Sequence, residues 1–314
     1  MAPIVSLVED TVSPTLSDNL QAARDVIPSF LKRCNIPYTH LPYDYAFERE
    51  VYVECARLGY ATEGPQAIPG IFIHNGVAVA TTMYAHLPTQ SGRMFVCLYS
   101  TLLFYAEDVH DKDVSAVRDF IDRFIHRRPQ ADTVLNNLAD FLGRVHEYFD
   151  RIRGNIVLSS AFNFMTAILL EHDTQGMEVE FAAKDYPQFS RRMSGTAETY
   201  GLCIFPGELP LQSFIQAMPD LEIFINGGND LMSFYKEELE GDEVNQVSLI
   251  ARCRRITKAE ALRLLEDDVV AAHDNILKIL APHRDALSAF KHFAQGYVAS
   301  HASLERYKLD ELDL

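Results

Sequence analysis

The sequence predicts an all-α protein folded as a single domain, and three observations lead there. Apolar residues recur at helical spacing over long stretches, strand signals are thin, and no repeat or Gly/Ser-rich linker divides the chain. With 314 residues, 48% of them hydrophobic and 23% charged, the chain can bury a large core. Residues 1–314 are therefore taken as one unit, although roughly the first 90 carry no recognisable motif.

Taken in order, the strand-like run 68–80 is short and interrupted by glycine. Residues 95–106 are apolar nearly all round, and so are residues 155–170; helices of that kind belong inside a large helical protein. Residues 114–125 place Val117, Phe120, Ile121 and Phe124 on one stripe, with Arg118, Asp119, Asp122 and Arg123 elsewhere. Residues 135–152 continue with Leu138, Phe141, Leu142, Val145 and Phe149, and residues 259–280 with Leu262, Leu265, Val269, Ala272, Ile276 and Ile279. Asp, Pro and Gly clusters near 64–76, 184–188, 205–210 and 240–242 punctuate these segments. The expected framework has two buried central helices, 95–106 and 155–170.

The formal net charge of −16 argues against non-specific nucleic-acid binding, which needs a basic footprint. An anionic ligand is still compatible with it if metal cations bridge the two sets of negative charge. Cys34, Cys55, Cys97, Cys203 and Cys253 lie far apart without metal-binding spacing and read as reduced core thiols. The chain opens on no basic-then-apolar leader, and no apolar stretch approaches about 18 residues without a charge. A cytoplasmic protein without a membrane span is expected.

The apolar run 95–106 leads directly into Glu107, Asp108, Val109, His110 and Asp111. Glu107 and Asp111 are a helical turn apart, as are Asp108 and Asp111, so the three carboxylates can share a face and repel one another. A divalent cation would relieve that repulsion, and hard oxygen ligands suit Mg²⁺. The same cluster also reads as the solvated end of a core helix. His110 reads as a surface histidine. A second acidic run, Glu266-Asp267-Asp268, has no acid at the next turn and reads as a solvated helix face.

More specific is the string Asn229-Asp230-Leu231-Met232-Ser233-Phe234-Tyr235-Lys236-Glu237. In a helix Asn229, Ser233 and Glu237 drift only about 80° over a rise of about 12 Å, and so line one face. An amide oxygen, a hydroxyl and a carboxylate make a singly charged set of oxygen donors for a metal shared with a diphosphate. Lys236 can add a donor to a phosphate oxygen. Gly227-Gly228 just upstream leaves open that Asn229 is only a helix N-cap.

This string resembles the Asn-Ser-Glu metal motif of class I terpene cyclases, and in detail that of the trichodiene-synthase-like family. Asp185-Tyr186-Pro187-Gln188-Phe189 with Arg191-Arg192-Met193 and Gly195 is similar to that family's stretch carrying the diphosphate-sensing arginine. Gly296-Tyr297-Val298 with Arg306-Tyr307 is similar to its C-terminal diphosphate-binding helix. The likeness runs from about residue 95 to 312.

The resemblance implies an all-α class I terpenoid synthase bundle with a central active-site cavity. It implies three Mg²⁺ ions clamped between Glu107, Asp108 and Asp111 on one side and Asn229, Ser233 and Glu237 on the other. Arg191, Lys236, Arg306 and Tyr307 become diphosphate donors, and Gly195 a helix break that aims a carbonyl at the developing cation. Phe104, Tyr105, Phe162 and Phe164 become candidates for the cavity wall, although core packing is the commoner role for an aromatic. The implied substrate is a prenyl diphosphate, farnesyl diphosphate first, with geranyl or geranylgeranyl diphosphate as alternatives. A humulene-like or bridged sesquiterpene is a better expectation than trichodiene. A non-catalytic helical binding protein that kept the fold is the reading from another class, and a homodimer would be in keeping with the family. Many relatives carry two adjacent aspartates where this chain has Glu107-Asp108, so either residue can be the first ligand.

Overall fold

The computed structural model describes residues 15–242, 244–312 and 314, without the side chains of residues 110–112. Those residues are helix, short 3₁₀ turns and loops, with no strand among them. The helices are α1 (Leu16–Cys34), α2 (Tyr45–Leu58), α3 (Gly70–Thr82), α4 (Gln90–Lys112), α5 (Val114–Arg118), α6 (Phe120–Ile125), α7 (Thr133–Gly143) and α8 (Val145–Tyr148). They continue as α9 (Arg151–Asp173), α10 (Tyr186–Ser194), α11 (Ala197–Cys203), α12 (Met218–Glu240), α13 (Gln246–Arg254), α14 (Lys258–Leu280) and α15 (Arg284–Ser303).

Two long helices form the middle of the bundle. Helix α4 starts at Thr89, whose hydroxyl accepts from the Gly92 amide, and from Met94 to Leu103 its side chains are buried. It packs on α3 and α7. The second central helix is α12, flanked by α1, α11 and α14 and buried along most of its length. This corrects the expectation that residues 155–170 supply it. Helix α9 buries Val157, Ala161, Phe164, Met165 and Ile168 but exposes Asn155, Ser159 and Thr166. By length and composition α9 is apolar enough to cross a membrane, yet it packs against α10, α11 and α5.

Two predicted helices break where their apolar stripe runs on. Residues 114–125 divide at Asp119, and residues 135–152 divide at Arg144 and again at Asp150, which caps α9. The run 68–80 is helix α3 from Gly70 onward. The 259–280 segment is α14, opened by a reciprocal Thr257–Glu260 capping box. The acidic run on α14 is solvated only in part: Asp267 and Asp268 are exposed, but Glu266 is 5% exposed, accepts from Ser29 at 2.6 Å and pairs with Arg33 at 3.0 Å, docking α14 on α1. All five cysteines are free and buried.

The N-terminal segment without motifs braces the rest. On α1, Asn19 donates to buried Glu238 of α12 at 2.8 Å. Arg24 donates to the Tyr235 hydroxyl at 2.8 Å and to the Glu311 carbonyl at 2.6 Å, while Tyr235 donates to the Glu311 carboxylate at 3.0 Å. These bonds hold the last turns of the chain against α12.

Candidate active site

Helix α12 is continuous through Gly227 and Gly228, with its N-cap at Ala217, so Asn229 lies within the helix and is not a cap. The glycines serve packing instead. A Cβ on Gly227 would meet Val269 at 2.5 Å, and one on Gly228 would meet the Tyr297 ring at 3.0 Å, so α14 and α15 can approach closely. The unbroken register keeps Asn229, Ser233 and Glu237 on one face, as the spacing predicts.

Each of the three donors is partly withdrawn from water. Ser233 is 4% exposed, and its hydroxyl lies one turn from Glu237 on the same face. Burial raises the Glu237 pKa, with Ser233 and then Lys236 opposing the rise; Lys236 Nζ stands 3.9 Å from the carboxylate. Asn229 Oδ1 accepts from Arg191 Nη2 at 3.2 Å. On its other side, the Asn229 amide nitrogen faces His301 Nε2 at 3.2 Å, and the side chain is near enough to Tyr307 to oppose the rise that burial causes in its pKa.

Arg191, on α10, is fixed to α12 by a partner the sequence reading left unassigned. Its Nε reaches both oxygens of Asp230, at 2.9 and 3.0 Å, and Asp230 is 8% exposed. Burial disfavours the charged guanidinium, but Asp230 outweighs it and the Arg191 pKa rises. Helix α10 ends at Gly195, and the chain turns at Thr196 (φ 47°, ψ 22°), a left-handed conformation that a β-branched residue seldom takes, before α11 begins. Gly195 sits against Asn226, one turn before Asn229 on α12, and a Cβ there would collide with the Asn226 amide. The expected helix break is present and faces α12.

The C-terminal pair lies just beyond α15, on a 3₁₀ turn (Glu305–Tyr307) and not on the helix itself. Arg306 is exposed and lies over the Tyr307 ring at 5.4 Å. His301 is 2% exposed and held between Tyr297 and Tyr307, with ring centroids 4.7 and 4.5 Å away. Burial pushes its pKa down to about 4, with the Tyr297 carbonyl opposing and Arg306 adding to the fall.

The acidic end of α4 presents its two described carboxylates differently. Burial, with the charge of Glu107 among the lesser causes, pushes Tyr200 up to about 12; Glu107 also acts on Tyr307. The Tyr200 hydroxyl meets Ser100 Oγ at 3.0 Å, two turns before Glu107 on α4. Asp108 instead acts on Tyr105, which burial and Asp132 push up to about 12. Tyr105 donates to Asp132 at 3.1 Å and meets Phe72 edge-on at 6.0 Å, away from Glu107. The side chains of His110 and Asp111 lie outside the described residues. Phe162 pairs with Phe124 at 5.1 Å, Phe164 is buried in the core, and Phe104 packs half-buried against it.

Among the described residues no three His, Cys, Asp or Glu side chains gather as a metal group. The face of α12 offers one carboxylate with an amide and a hydroxyl, which suits a hard divalent cation that completes its shell with water and phosphate oxygens. Sequence reasoning missed Asp230, Asn226 and His301. Asp230 lay within the motif, Asn226 one turn before it, and His301 one turn after Tyr297 on α15.

The chain matches the family described as Trichodiene synthase (TRI5) over residues 71–313. It is 34% identical over 297 residues to alpha-cuprenene synthase COP6 of Coprinopsis cinerea, covering 94% of this chain and 91% of that protein. It is 29% identical over 266 residues to terpene synthase BipA of Cochliobolus sativus, covering 82% of each. In fold it is similar to the crystal structure of a linalool/nerolidol synthase from Streptomyces clavuligerus, with a TM-score of 0.61 at 14% identity, covering 84% of this chain and 96% of that one. The protein belongs to the trichodiene synthase family of terpene synthases.

Proposed function

We propose that the protein is a sesquiterpene cyclase that ionises farnesyl diphosphate with Mg²⁺ and steers the carbocation to a cyclic hydrocarbon or alcohol. The observation that carries this reading is the polar face of α12, where Asn229, Ser233 and Glu237 stand in register with Arg191 pinned beside them by Asp230. Asn229, Ser233 and Glu237 would hold metal on this side, and Glu107, Asp108 and Asp111 on the other. Bound Mg²⁺ supplies Lewis-acid stabilisation of the leaving diphosphate.

The chain's own groups do the remaining work. Arg191, Lys236, Arg306 and Tyr307 donate hydrogen bonds to diphosphate oxygens and favour departure of that anion. The Arg191–Asp230 pair sets the guanidinium before substrate arrives, so little reorganisation is needed at ionisation. Gly195, at the end of α10, presents a backbone carbonyl whose dipole favours positive charge nearby. A site closed to water would keep the cation from being quenched early.

Incubation with geranyl, farnesyl or geranylgeranyl diphosphate and Mg²⁺, followed by analysis of volatiles, tests the reading. A cyclic C15 product from farnesyl diphosphate is expected. No hydrocarbon or alcohol from any of the three would overturn the enzyme reading and favour a binding protein with this fold.

A further inference from the structure

We infer that His301 is a positioning residue that fixes the orientation of the Asn229 amide, so that its oxygen and not its nitrogen is presented to the metal. The inference rests on the proposed role of Asn229 as a metal ligand. It follows from a chain of three groups whose donor and acceptor roles can be assigned. His301 Nδ1 lies 2.8 Å from the Tyr297 carbonyl, which can only accept, so Nδ1 carries the proton. In the neutral ring Nε2 is then an acceptor, and the atom 3.2 Å from it is Asn229 Nδ2, a donor. With the amide nitrogen held there, Oδ1 points the other way, where Arg191 Nη2 donates to it at 3.2 Å.

An asparagine is nearly symmetric in shape, and a flip by 180° would place an N–H where a cation needs an oxygen. A flipped amide would also set Oδ1 against the lone pair of Nε2, and Nδ2 against the Arg191 guanidinium. Arg191 and His301 thus select the same orientation from opposite ends. His301 is well suited to this because its ring cannot wander: it is 2% exposed and lies between the Tyr297 and Tyr307 rings. It belongs to α15, 72 residues along the chain from Asn229, so the arrangement is built by the fold and not by the motif. Outer partners that orient a metal ligand typically account for about 10–100-fold in metal affinity.

The test measures binding without turnover: calorimetric titration of Mg²⁺ with inorganic diphosphate into wild type, His301→Phe, Asn229→Asp, the double variant and Asn229→Ala. Phenylalanine keeps the ring between the two tyrosines and removes both nitrogens. The expected result is a loss of about 10-fold or more in Mg²⁺ affinity for His301→Phe. That loss should shrink to less than about 3-fold on the Asn229→Asp background, because a carboxylate presents oxygen in either orientation. Unchanged affinity in His301→Phe, or an equal loss on both backgrounds, would overturn the inference. Unchanged binding in Asn229→Ala would instead overturn the metal role of Asn229, and this inference with it. If His301→Phe does not fold, ¹⁵N NMR of the wild-type imidazole decides. A protonated Nδ1 and a bare Nε2 are expected, and the opposite tautomer would overturn the assignment.

Discussion

Two oxygen-bearing helices, α12 along its middle and α4 at its acidic end, differ in how deeply the protein buries their polar groups. On α12 the polar groups are packed together in the interior: Asp230 holds Arg191, Arg191 and His301 hold Asn229, and Ser233 lies one turn from Glu237. At the end of α4, Glu107 is exposed and Asp108 half-buried, and their charges act on different sides, one toward Tyr200 and Tyr307 and the other toward Tyr105. Neutral donors with one carboxylate can be packed into a core, whereas a group of carboxylates repels itself until a cation arrives. Neutral donors around one carboxylate thus make the deeper polar face, and the cluster of carboxylates stays nearer solvent.

The largest effect that would break this comparison lies in the Arg191–Asp230 pair. Asp230→Ala leaves a largely buried guanidinium unpaired, and we expect a loss of about 3 kcal/mol in unfolding free energy. Turnover should fall about 100-fold; chemical denaturation and steady-state assay check the two. Next, on α4, Glu107→Gln should reduce turnover about 100-fold and raise the Mg²⁺ requirement, while Asp108→Asn should cost less than about 10-fold. Equal effects would mean that both carboxylates turn toward α12 once ligand is bound. A smaller change is expected behind α12, where Arg24→Ala removes the donors to the Glu311 carbonyl and the Tyr235 hydroxyl and leaves the Tyr235–Glu311 bond. That should cost about 1–2 kcal/mol of stability and loosen the C-terminal turn, measurable as faster amide exchange near Tyr307. Smallest of all, Tyr105→Phe removes the bond to Asp132 at about 1 kcal/mol and should leave the product profile unchanged. A changed profile would place Tyr105 on the cavity wall after all.

The polar face of α12 was legible in the sequence because it is local: Asn229, Ser233 and Glu237 are spaced by the helix itself, and only a helix makes that spacing meaningful. The break at Gly195 was likewise legible from a motif. What escaped the sequence is what the fold assembles from afar. His301 and Asn229 meet only because α15 is pressed against α12 at Gly228, and Asp230 looked like one more acid until Arg191 was seen beside it. The breaks at Asp119 and Arg144 were hidden because an apolar stripe continues smoothly through a kink that tertiary packing imposes. Helix α9 looked central because its apolar residues surround it, but composition does not say which side is covered. Conversely, Glu266 looked solvated because its partners, Ser29 and Arg33, lie on α1, far away in the chain.

Ionisation of the substrate at the polar face of α12 is the step on which the proposed activity depends. Its most direct test is Mg²⁺-dependent release of diphosphate from farnesyl diphosphate by wild type and by Asn229→Ala with Glu237→Ala, both verified as folded by circular dichroism. Release by the wild type and a fall of about 1,000-fold or more in the double variant are expected. Turnover in the double variant within about 10-fold of wild type would contradict ionisation at this face.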